Sequence, residues 1–438
     1  MALVRGPFIQ SVSKRNATIV WYTNTAIEDN IVKIGTTTNF TNTYKSSIIS
    51  NTVATSKNNS SSSTVRSDVY YKHLVRVSGL NPNTKYYYAV GSTQMGILSS
   101  GSTTNFFYTS PDTNAEQNMR FWVVADMGVG TSNQKNVKDR FLTFNNNNKV
   151  DAWIWIGDNT YTYGYYSEYD GTIFTGTNSY INELKKFPIF SVLGNHDYGS
   201  STAGGYLSST AQQNLKEYFT IFNLPSTSEC GGVASFSPKY YSVDWGNVHF
   251  IALDGYNYIN PTSTQYKWLV NDLENNTKKW TIVFQHFPAF THGTHDSDSS
   301  SECVAFREQV TPLLYQYNVD LVLHGHSHVY ERTYFMRWFT GTSASWSSSY
   351  IVQPTSPYNK TISAGALSAG TIFVVVGNGG QGGPVTTYGT WPHNAMDSYD
   401  RSTWASLVID ITGTTTQTLT VNTINSSGTI IDSFQILK

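Results

Sequence analysis

Hydrophobic and polar positions along this chain change their pattern near residue 110. Before that point, short runs of β-branched and aromatic residues are separated by turn residues, as in 16–23 (NATIVWYT), 70–80 (YYKHLVRVSGL) and 85–92 (KYYYAVGS). Such runs are typical of strands that bury one face in a sandwich of two sheets. The pattern therefore predicts an all-β N-terminal unit, with Trp21 as its core tryptophan.

From Phe121 onwards, apolar strands alternate with helical periodicity. The predicted helices are 133–144 (NQKNVKDRFLTF), 179–187 (SYINELKKF), 266–276 (YKWLVNDLENN) and 306–317 (FREQVTPLLYQY). After about residue 370, strands return without helices, at 371–378, 406–410, 416–424 and 430–437. This order predicts an α/β domain with mixed sheets, because the late strands supply antiparallel partners.

The N-terminal unit resembles a fibronectin type III domain. Residues 80–86 (LNPNTKY) match the L-x-P-x-T-x-Y tyrosine corner of such domains, in which the hydroxyl of Tyr86 bonds back to the chain. Residues 111–119 (PDTNAEQNM) have the composition of a linker. We therefore expect a β-sandwich over residues 1–112 and a second domain over residues 113–438.

Five predicted strands of the second domain end on residues that can bind metals. The endings are Asp126 after 121–125, Gly157-Asp158 with Tyr161 after 153–156, Gly194-Asn195-His196-Asp197 after 189–193, His286 after 280–285, and Gly325-His326-Ser327-His328 after 320–324. Sites in α/β sheets form outside the carboxyl ends of the strands. The five endings are therefore expected to lie together.

Each ending alone has an ordinary structural explanation. A single aspartate after a strand is usually a turn former or a helix cap, and a lone histidine such as His286 is usually a satisfied core residue. The conjunction of five endings favours a metal site instead. Oxygen and nitrogen donors without a thiolate select ions such as Fe, Zn, Mn or Mg, and the number of donors predicts two ions with Asp158 as the bridging carboxylate.

The order of these motifs resembles that of the purple acid phosphatases of the larger plant and fungal type. That family, within the calcineurin-like metallophosphoesterases, shows D-x-G, G-D-x-x-Y, G-N-H, an isolated His and G-H-x-H in this order, after a fibronectin-like domain. The resemblance covers nearly the whole chain. It implies an α/β metallophosphoesterase domain and a binuclear centre of Fe(III) with a second divalent metal, which is Zn, Fe or Mn.

The resemblance also implies a role for individual residues. Iron(III) would be held by Asp126, Tyr161 and His328, and the divalent metal by Asn195, His286 and His326, with Asp158 shared. His196 and His295 would be the catalytic histidines that face the substrate, and His292 is a further candidate for substrate binding.

The chain departs from the family pattern at three positions. Ala125 stands where the first motif often has glycine, Asp296 stands where larger members often have a second histidine, and His292 is additional. The departures beside His295 leave the identity of the general acid open.

The resulting prediction is an acid phosphatase that hydrolyses small phosphate monoesters. One alternative is a phosphodiesterase or nucleotidase with two divalent metals, although many such relatives have histidine at the position of Tyr161. The other alternative is a catalytically inactive adhesion or structural protein. The N-terminal domain is expected to be a scaffold or the surface of a homodimer.

Composition limits the partners and the compartment. A net charge of -1 over 438 residues argues against nucleic acid, and no apolar stretch is long enough to span a membrane. The residues after Met1 lack a signal core, so we expect that any signal has been removed or never existed. Cys230 and Cys303 fit one disulfide in a secreted chain or two free thiols in a cytosolic one; we expect the disulfide, and a secreted or lysosomal glycoprotein. Its sequons lie at Asn16, Asn39, Asn58, Asn59, Asn275, Asn359 and Asn425.

Overall fold

The computed structural model describes residues 3–27, 29–46, 49–56, 66–99, 103–113, 117–199, 215–257, 259–360 and 369–438. The sequons at Asn58 and Asn59 and the centre of the predicted linker lie outside these ranges. The N-terminal strands are β1 (Leu3–Gln10), β2 (Ala17–Thr23), β3 (Asn30–Gly35), β4 (Asn42–Ser46), β5 (Ile49–Ser56), β6 (Arg66–Val77), β7 (Lys85–Ser92), β8 (Gly96–Ser99) and β9 (Phe106–Tyr108).

These nine strands form two layers. One layer has the order β1-β2-β6-β5, and the other has the order β4-β3-β7-β8 with β9 paired to β7. Trp21 is fully buried in the core, as predicted. The backbone N–H of Asn81 donates to the hydroxyl of Tyr86 at 2.9 Å, which confirms the tyrosine corner.

The second part of the chain alternates strands and helices before it ends in strands. Its strands are β10 (Met119–Val124), β11 (Ala152–Ile156), β12 (Ile189–Val192), β13 (Tyr241–Trp245), β14 (Val248–Ala252), β15 (Trp280–Phe284), β16 (Leu321–His324), β17 (Tyr330–Thr333), β18 (Phe335–Met336), β19 (Ile351–Gln353), β20 (Tyr358–Asn359), β21 (Ile372–Val376), β22 (Met396–Asp400), β23 (Ala405–Thr412), β24 (Thr418–Asn425) and β25 (Ile430–Leu437). Its α-helices are α1 (Ser132–Asn145), α2 (Tyr166–Tyr169), α3 (Ile181–Leu184), α4 (Leu215–Ile221), α5 (Thr264–Asn275), α6 (Ser301–Ala305) and α7 (Thr311–Gln316). π-Helical segments span Asp170–Phe174 and Phe306–Val310, and short 3-10 turns span Ser343–Ser345 and Ser348–Tyr350.

Two sheets carry the α/β part, and both are mixed, as predicted. The first has eleven strands in the order β20-β25-β24-β23-β10-β11-β12-β1-β2-β6-β5, and the second has seven in the order β13-β14-β15-β16-β21-β17-β22. Their facing surfaces are apolar and pack together, for example where the rings of Phe121 and Phe250 lie 4.9 Å apart. Residues of α5 and α7 pack on the other face of the seven-stranded sheet.

The N-terminal layer of β1, β2, β6 and β5 forms one end of the eleven-stranded sheet. Strand β1 pairs in parallel with β12, with Gln10 opposite Ile189. The Arg5 guanidinium lies 3.8 Å from the ring centre of Tyr166 and donates from Nε to Asp170 at 2.9 Å. Because Tyr166 and Asp170 follow Tyr161 closely along the chain, the N-terminal unit supports a segment next to the candidate site. The sequence pattern did not predict this connection.

The predicted disulfide is absent. Cys230 and Cys303, both among the described residues, are buried free thiols. The backbone of Cys230 pairs with Asp244 on β13, whereas Cys303 lies on α6, which leads to Phe306 beside His324 on β16. The thiols are therefore attached to opposite ends of the four-strand segment from β13 to β16, and burial raises the pKa of both. Burial also excludes Asn425 as a glycan acceptor, since its side chain is 6% exposed.

Across the described ranges, every helix is too short or too polar to cross a membrane.

Candidate metal centre

The carboxyl ends of five strands meet between the two sheets. Strands β10, β11 and β12 are neighbours in the eleven-stranded sheet, whereas β15 and β16 are neighbours in the seven-stranded sheet. The residues after these strands include the predicted set of Asp126, Asp158, Tyr161, Asn195, His286, His326 and His328. The predicted convergence is present, and it is built from two sheets rather than from one sheet edge.

Three of these residues adopt left-handed backbone conformations directly after their strands. The φ angles are +54° at Asp126, +48° at Asp158 and +67° at His326. Residues other than glycine rarely adopt this backbone conformation. It costs about 1–3 kcal/mol, and such residues are concentrated at functional sites. The sharp turns redirect two carboxylates and one imidazole into the space between the sheets.

Asp158 is the central side chain of the cluster. Its Oδ2 lies 3.2 Å from the hydroxyl of Tyr161, 3.3 Å from Nε2 of His286 and 3.7 Å from Nε2 of His196. Its Oδ1 accepts a hydrogen bond from the backbone N–H of His196 at 2.8 Å. One oxygen of this buried carboxylate therefore faces groups from three strand ends, while the other is held by the backbone.

Asp126 occupies the other side of Tyr161. Its Oδ1 accepts from the Tyr161 hydroxyl at 2.8 Å and lies 3.5 Å from Nε2 of His328. Its Oδ2 accepts from the backbone N–H of His326 at 2.9 Å. The Tyr161 hydroxyl thus lies between two carboxylates. A tyrosine that only fills an apolar core, or one on the surface, would not have these neighbours.

Two imidazoles direct their Nε2 atoms into this space. The carbonyl of Ile156 can only accept, so Nδ1 of His286 at 2.8 Å carries a hydrogen and Nε2 is the nitrogen left to bind a metal ion. Nδ1 of His326 lies 3.0 Å from Oδ1 of Asn195. Nε2 is buried in both rings: that of His326 has no hydrogen-bond partner, and that of His286 faces Oδ2 of Asp158 at 3.3 Å. Buried polar atoms without a partner call for an explanation, and a metal ion would supply one.

Two motif glycines allow the strand ends to approach each other. A Cβ on Gly194 would lie 2.1 Å from Oδ1 of Asp158. Gly157 has φ of +80°, and a Cβ there would lie 2.6 Å from Nδ1 of His286. Larger residues at either position would displace the carboxylate or the imidazole.

Asp197 organises the site, although the sequence assigned it no role. Its buried carboxylate accepts from the backbone N–H of Gly194 at 2.8 Å and from the side-chain amide of Asn159 at 2.9 Å, and the hydroxyl of Tyr169 also donates to it. It therefore ties the turn after β12 to the turn after β11. In the sequence, the only indication of this role was the position of Asp197 at the end of the Gly-Asn-His-Asp motif.

His196 and His295 lie on either side of the cluster. The Nδ1–H of His196 donates to the carbonyl of Thr162 at 2.6 Å, and its ring lies 4.3 Å from that of Tyr161. The ring of His295 stacks on His326 with centroids 3.8 Å apart and lies 6.2 Å from the ring of His328. Both imidazoles are therefore close enough to meet a ligand held by the cluster.

His292 makes its side-chain contacts away from these two rings, and its role in substrate binding stays a prediction. Its Nδ1–H donates to the carbonyl of Thr390 at 2.9 Å, and its Nε2 lies 3.3 Å from Asp298 and 3.4 Å from Asp296. Asp298 also faces His393, whose Nδ1 accepts from a backbone N–H at 3.1 Å. Since Nε2 of His393 then carries the hydrogen, this second cluster suits hydrogen bonding between loops better than metal binding.

The site holds its groups in unusual protonation states. Burial, reinforced by Asp126 and Asp158, raises the pKa of Tyr161 well above its usual value. Burial lowers the pKa of His326 far below the usual range, and neighbouring imidazoles add to the effect. Burial opposes the charge on His286, but Asp158 and Asp126 outweigh it and raise its pKa to about 9. Burial would likewise raise the pKa of Asp158, yet His286 and His196 hold it below the usual range.

These residues fit metal ions by their chemistry. Asp158, His286 and His326 each offer one ligand atom, and the three atoms lie within 4.8 Å of one another. The neutral His326 imidazole keeps a lone pair, and the oxygen donors are hard ligands without a thiolate among them. A cation bound by both Asp126 and Asp158 would also offset the negative charge that raises the pKa of Tyr161.

Two family models match the chain. Residues 119–330 match the model described as calcineurin-like phosphoesterase, and residues 8–109 match the model described as purple acid phosphatase, N-terminal domain. The first match contains all seven predicted ligand positions, from Asp126 to His328.

Curated relatives are similar over part of their length. The chain is 30% identical over 285 residues to purple acid phosphatase 23 of Arabidopsis thaliana, covering 59% of this chain and 57% of the relative. It is 26% identical over 269 residues to the phosphoenolpyruvate phosphatase of Allium cepa, covering 60% of this chain and 51% of the relative. The aligned region therefore spans little more than half of each relative.

The fold as a whole is similar to that of a solved structure. A purple acid phosphatase from yellow lupin (Lupinus luteus) seeds matches 98% of this chain and 73% of its own chain, with a TM-score of 0.74 and 20% sequence identity. The match includes both the N-terminal β-rich part and the α/β part, and it confirms the predicted fold class.

Proposed function

The chain belongs to the calcineurin-like phosphoesterases and carries the N-terminal domain of purple acid phosphatases, and from that premise we propose that it hydrolyses phosphate monoesters at a centre of two metal ions. The observation that carries the proposal is the position of Asp158. Its buried Oδ2 lies between the hydroxyl of Tyr161 at 3.2 Å and Nε2 of His286 at 3.3 Å, which are assigned to different ions, and this position suits a ligand shared by both.

We divide the ligands between two ions according to the side of Asp158 on which each ligand lies. Tyr161 and His328 lie on the Asp126 side, which supports an iron(III) site of Asp126, Tyr161 and His328. The remaining donors, Asn195, His286 and His326, would hold a divalent Zn, Fe or Mn ion. When bound, the two ions supply Lewis acidity towards the phosphate oxygens and lower the pKa of the attacking water.

The chain itself supplies the groups that hold the ester and move its proton. The Nδ1–H of His196 is occupied by Thr162, so Nε2 is the atom left to bind a phosphate oxygen. His295 approaches from the opposite side, on top of His326. As water adds to phosphorus and the ester P–O bond breaks, one of these two imidazoles gives its proton to the departing alkoxide.

The proposal is tested by comparing two esters of the same alcohol. Purified metal-loaded protein at about pH 5 is expected to hydrolyse p-nitrophenyl phosphate at least ~100-fold more efficiently than bis(p-nitrophenyl) phosphate, because the monoester carries more negative charge than the diester and presents more free oxygens to two cations. A preference for the diester would support a phosphodiesterase instead. Metal-loaded protein that cleaves neither ester would support an inactive binding or structural protein.

Substitution of the two flanking histidines separates turnover from metal binding. His196→Ala and His295→Ala are each expected to lower kcat for phenyl phosphate by about 10²-fold or more while the metal content stays at the wild-type level, since neither ring belongs to the proposed ligand set. His292→Ala is the matched control, because its ring contacts Thr390 and Asp298 outside the cluster. Metal loss in parallel with activity would make His196 or His295 a ligand.

Four broader expectations remain part of this proposal. The substrates are small phosphate monoesters, the division into domains lies at residues 112 and 113, and the N-terminal domain serves as a scaffold or dimer surface. The scaffold role is supported by the contacts of Arg5 with Tyr166 and Asp170. A secreted or lysosomal protein is supported by exposed sequons such as Asn16 and Asn275, whereas the free cysteines no longer contribute to that argument.

A further inference from the structure

A buried glutamate on β17 lies behind the loop that carries His295. Glu331 is 0% exposed, and its carboxyl oxygens point to the loop of residues 291–295. The hydroxyl of Thr291 is hydrogen-bonded to Oε2, and the backbone N–H of His292 donates to Oε1 at 3.3 Å. A backbone hydrogen bond from His393 also stabilises the carboxylate. The first two residues of the His295 loop are therefore fixed to one side chain.

The same contacts reach the turn that carries two proposed metal ligands. The hydroxyl of Thr291 lies 2.8 Å from that of Ser327, which stands between His326 and His328. It also accepts from the backbone N–H of Gly293 at 3.0 Å. Glu331, Thr291 and Ser327 thus form a continuous path of hydrogen bonds between the His295 loop and the His326–His328 turn.

The loop of residues 291–295 also packs directly against the His326–His328 turn. A Cβ on Gly293 would lie 2.2 Å from Oγ of Ser327, so loop and turn are in direct contact. The backbone N–H of His328 donates to the hydroxyl of Thr294 at 2.9 Å. With both ends of the loop attached to the turn, the ring of His295 is placed on the ring of His326.

Burial of the Glu331 carboxyl group has a desolvation cost. Among the described residues, Glu331 forms no ion pair with a lysine or arginine, and burial raises its pKa to about 8. An apolar residue would avoid the desolvation cost of a buried carboxyl. The arrangement of its partners explains the choice, because a carboxyl can bond the hydroxyl of Thr291 and the backbone N–H of His292 together.

We propose that Glu331 is a positioning residue that holds His295 in place so that its ring N–H donates a hydrogen bond to the leaving-group oxygen. This inference rests on the proposed phosphatase function and deepens it, since it assigns the contact with the leaving group to His295 and gives the reason for its placement. Glu331 does not touch the substrate. It acts through Thr291 and the backbone of the loop.

The consequence is selective for the leaving group. A p-nitrophenolate ion is stable enough to depart with little assistance, whereas a phenolate or an alkoxide gains more from a hydrogen bond to its oxygen as the P–O bond breaks. A displaced His295 therefore slows the hydrolysis of phenyl phosphate more than that of p-nitrophenyl phosphate. A general loss of folded protein would slow both to the same extent.

The test uses metal-loaded full-length protein and four variants. Glu331→Ala and Thr291→Val both interrupt the path, and each is expected to lower kcat about 30-fold for phenyl phosphate but about 3-fold or less for p-nitrophenyl phosphate, with unchanged metal content. Glu331→Gln keeps the shape and both hydrogen bonds and is expected to retain kcat within about 3-fold for both esters. Thr333→Val is the control on the same strand, because the hydroxyl of Thr333 contacts Tyr334 and Phe373 rather than the loop.

An equal loss on both esters, or no loss in Glu331→Ala and Thr291→Val, overturns the inference. A Gln variant as impaired as the Ala variant also overturns it, since hydrogen bonding would then not be the role of the side chain. Hydrogen exchange supplies a readout that does not depend on activity: the backbone amides of His292 and Gly293 are expected to exchange at least ~10-fold faster in Glu331→Ala. Unchanged exchange contradicts the positioning role, while an inactive wild-type protein with faster exchange in the variant contradicts only the proposed reaction.

Discussion

Replacement of Asp158 by asparagine is expected to lower the hydrolysis of phosphate monoesters by at least ~10³-fold, which corresponds to about 4 kcal/mol of lost transition-state stabilisation. Both proposed ions lose the negative charge that they share, so the metal content is expected to fall as well. The fold is expected to remain, because asparagine tolerates the left-handed φ of +48° better than most residues and its side-chain oxygen can still accept from His196.

Asp151→Asn is the matched control for that experiment. Asp151 is equally buried and precedes the same strand, β11, at its opposite end, where it accepts from Arg120 at 2.9 Å and Trp245 at 3.0 Å. Its substitution is expected to lower stability without selective loss of metal. If Asp158→Asn keeps both metals and wild-type activity, Asp158 is not the bridging ligand and the assignment of the centre is wrong.

Replacement of Tyr161 by phenylalanine is expected to remove the visible absorption of the iron-loaded protein. An ordinary phenol has a pKa near ~10, so ionisation at pH 5 requires roughly 7 kcal/mol of preferential stabilisation of the anion. The two carboxylates beside Tyr161 increase that requirement, since they raise its pKa further. Iron(III) in direct contact would supply the stabilisation, and phenolate bound to iron(III) absorbs visible light.

Tyr169→Phe provides the comparison for Tyr161→Phe. It also removes a buried tyrosine hydroxyl, but one that donates to Asp197 rather than to Asp126 or Asp158. This variant is expected to keep the visible band. A colourless wild-type protein with bound iron, or a Tyr161→Phe variant with an unchanged band, would make Tyr161 a packing residue and would favour two divalent metals.

Local signals were sufficient to predict the elements and the convergence of the site. The run 153–156 is apolar because β11 is buried on both faces, and Asp158 follows it because the strand ends at the space between the sheets. The tyrosine corner of Tyr86 was readable for the same reason, since its donor lies only five residues away. Each of these features depends on neighbours in the sequence.

Long-range pairing was not readable from local patterns. The pairing of Gln10 with Ile189 depends on which strand edges remain free after folding, and periodicity carries no such information. The disulfide prediction failed because similar Ser-Glu-Cys contexts do not encode the distance between Cys230 and Cys303. His292 has the same residue type and loop as His295, yet its ring turns towards Asp298, a direction that the sequence leaves open.

The measurement that tests the central claim most directly is the metal content of carefully purified, active protein, determined by elemental analysis against protein concentration. The account predicts two metal ions per chain, at least one of them iron, because seven donors from five strand ends surround Asp158. A protein that hydrolyses phosphate monoesters at full rate with one ion or none per chain would contradict it.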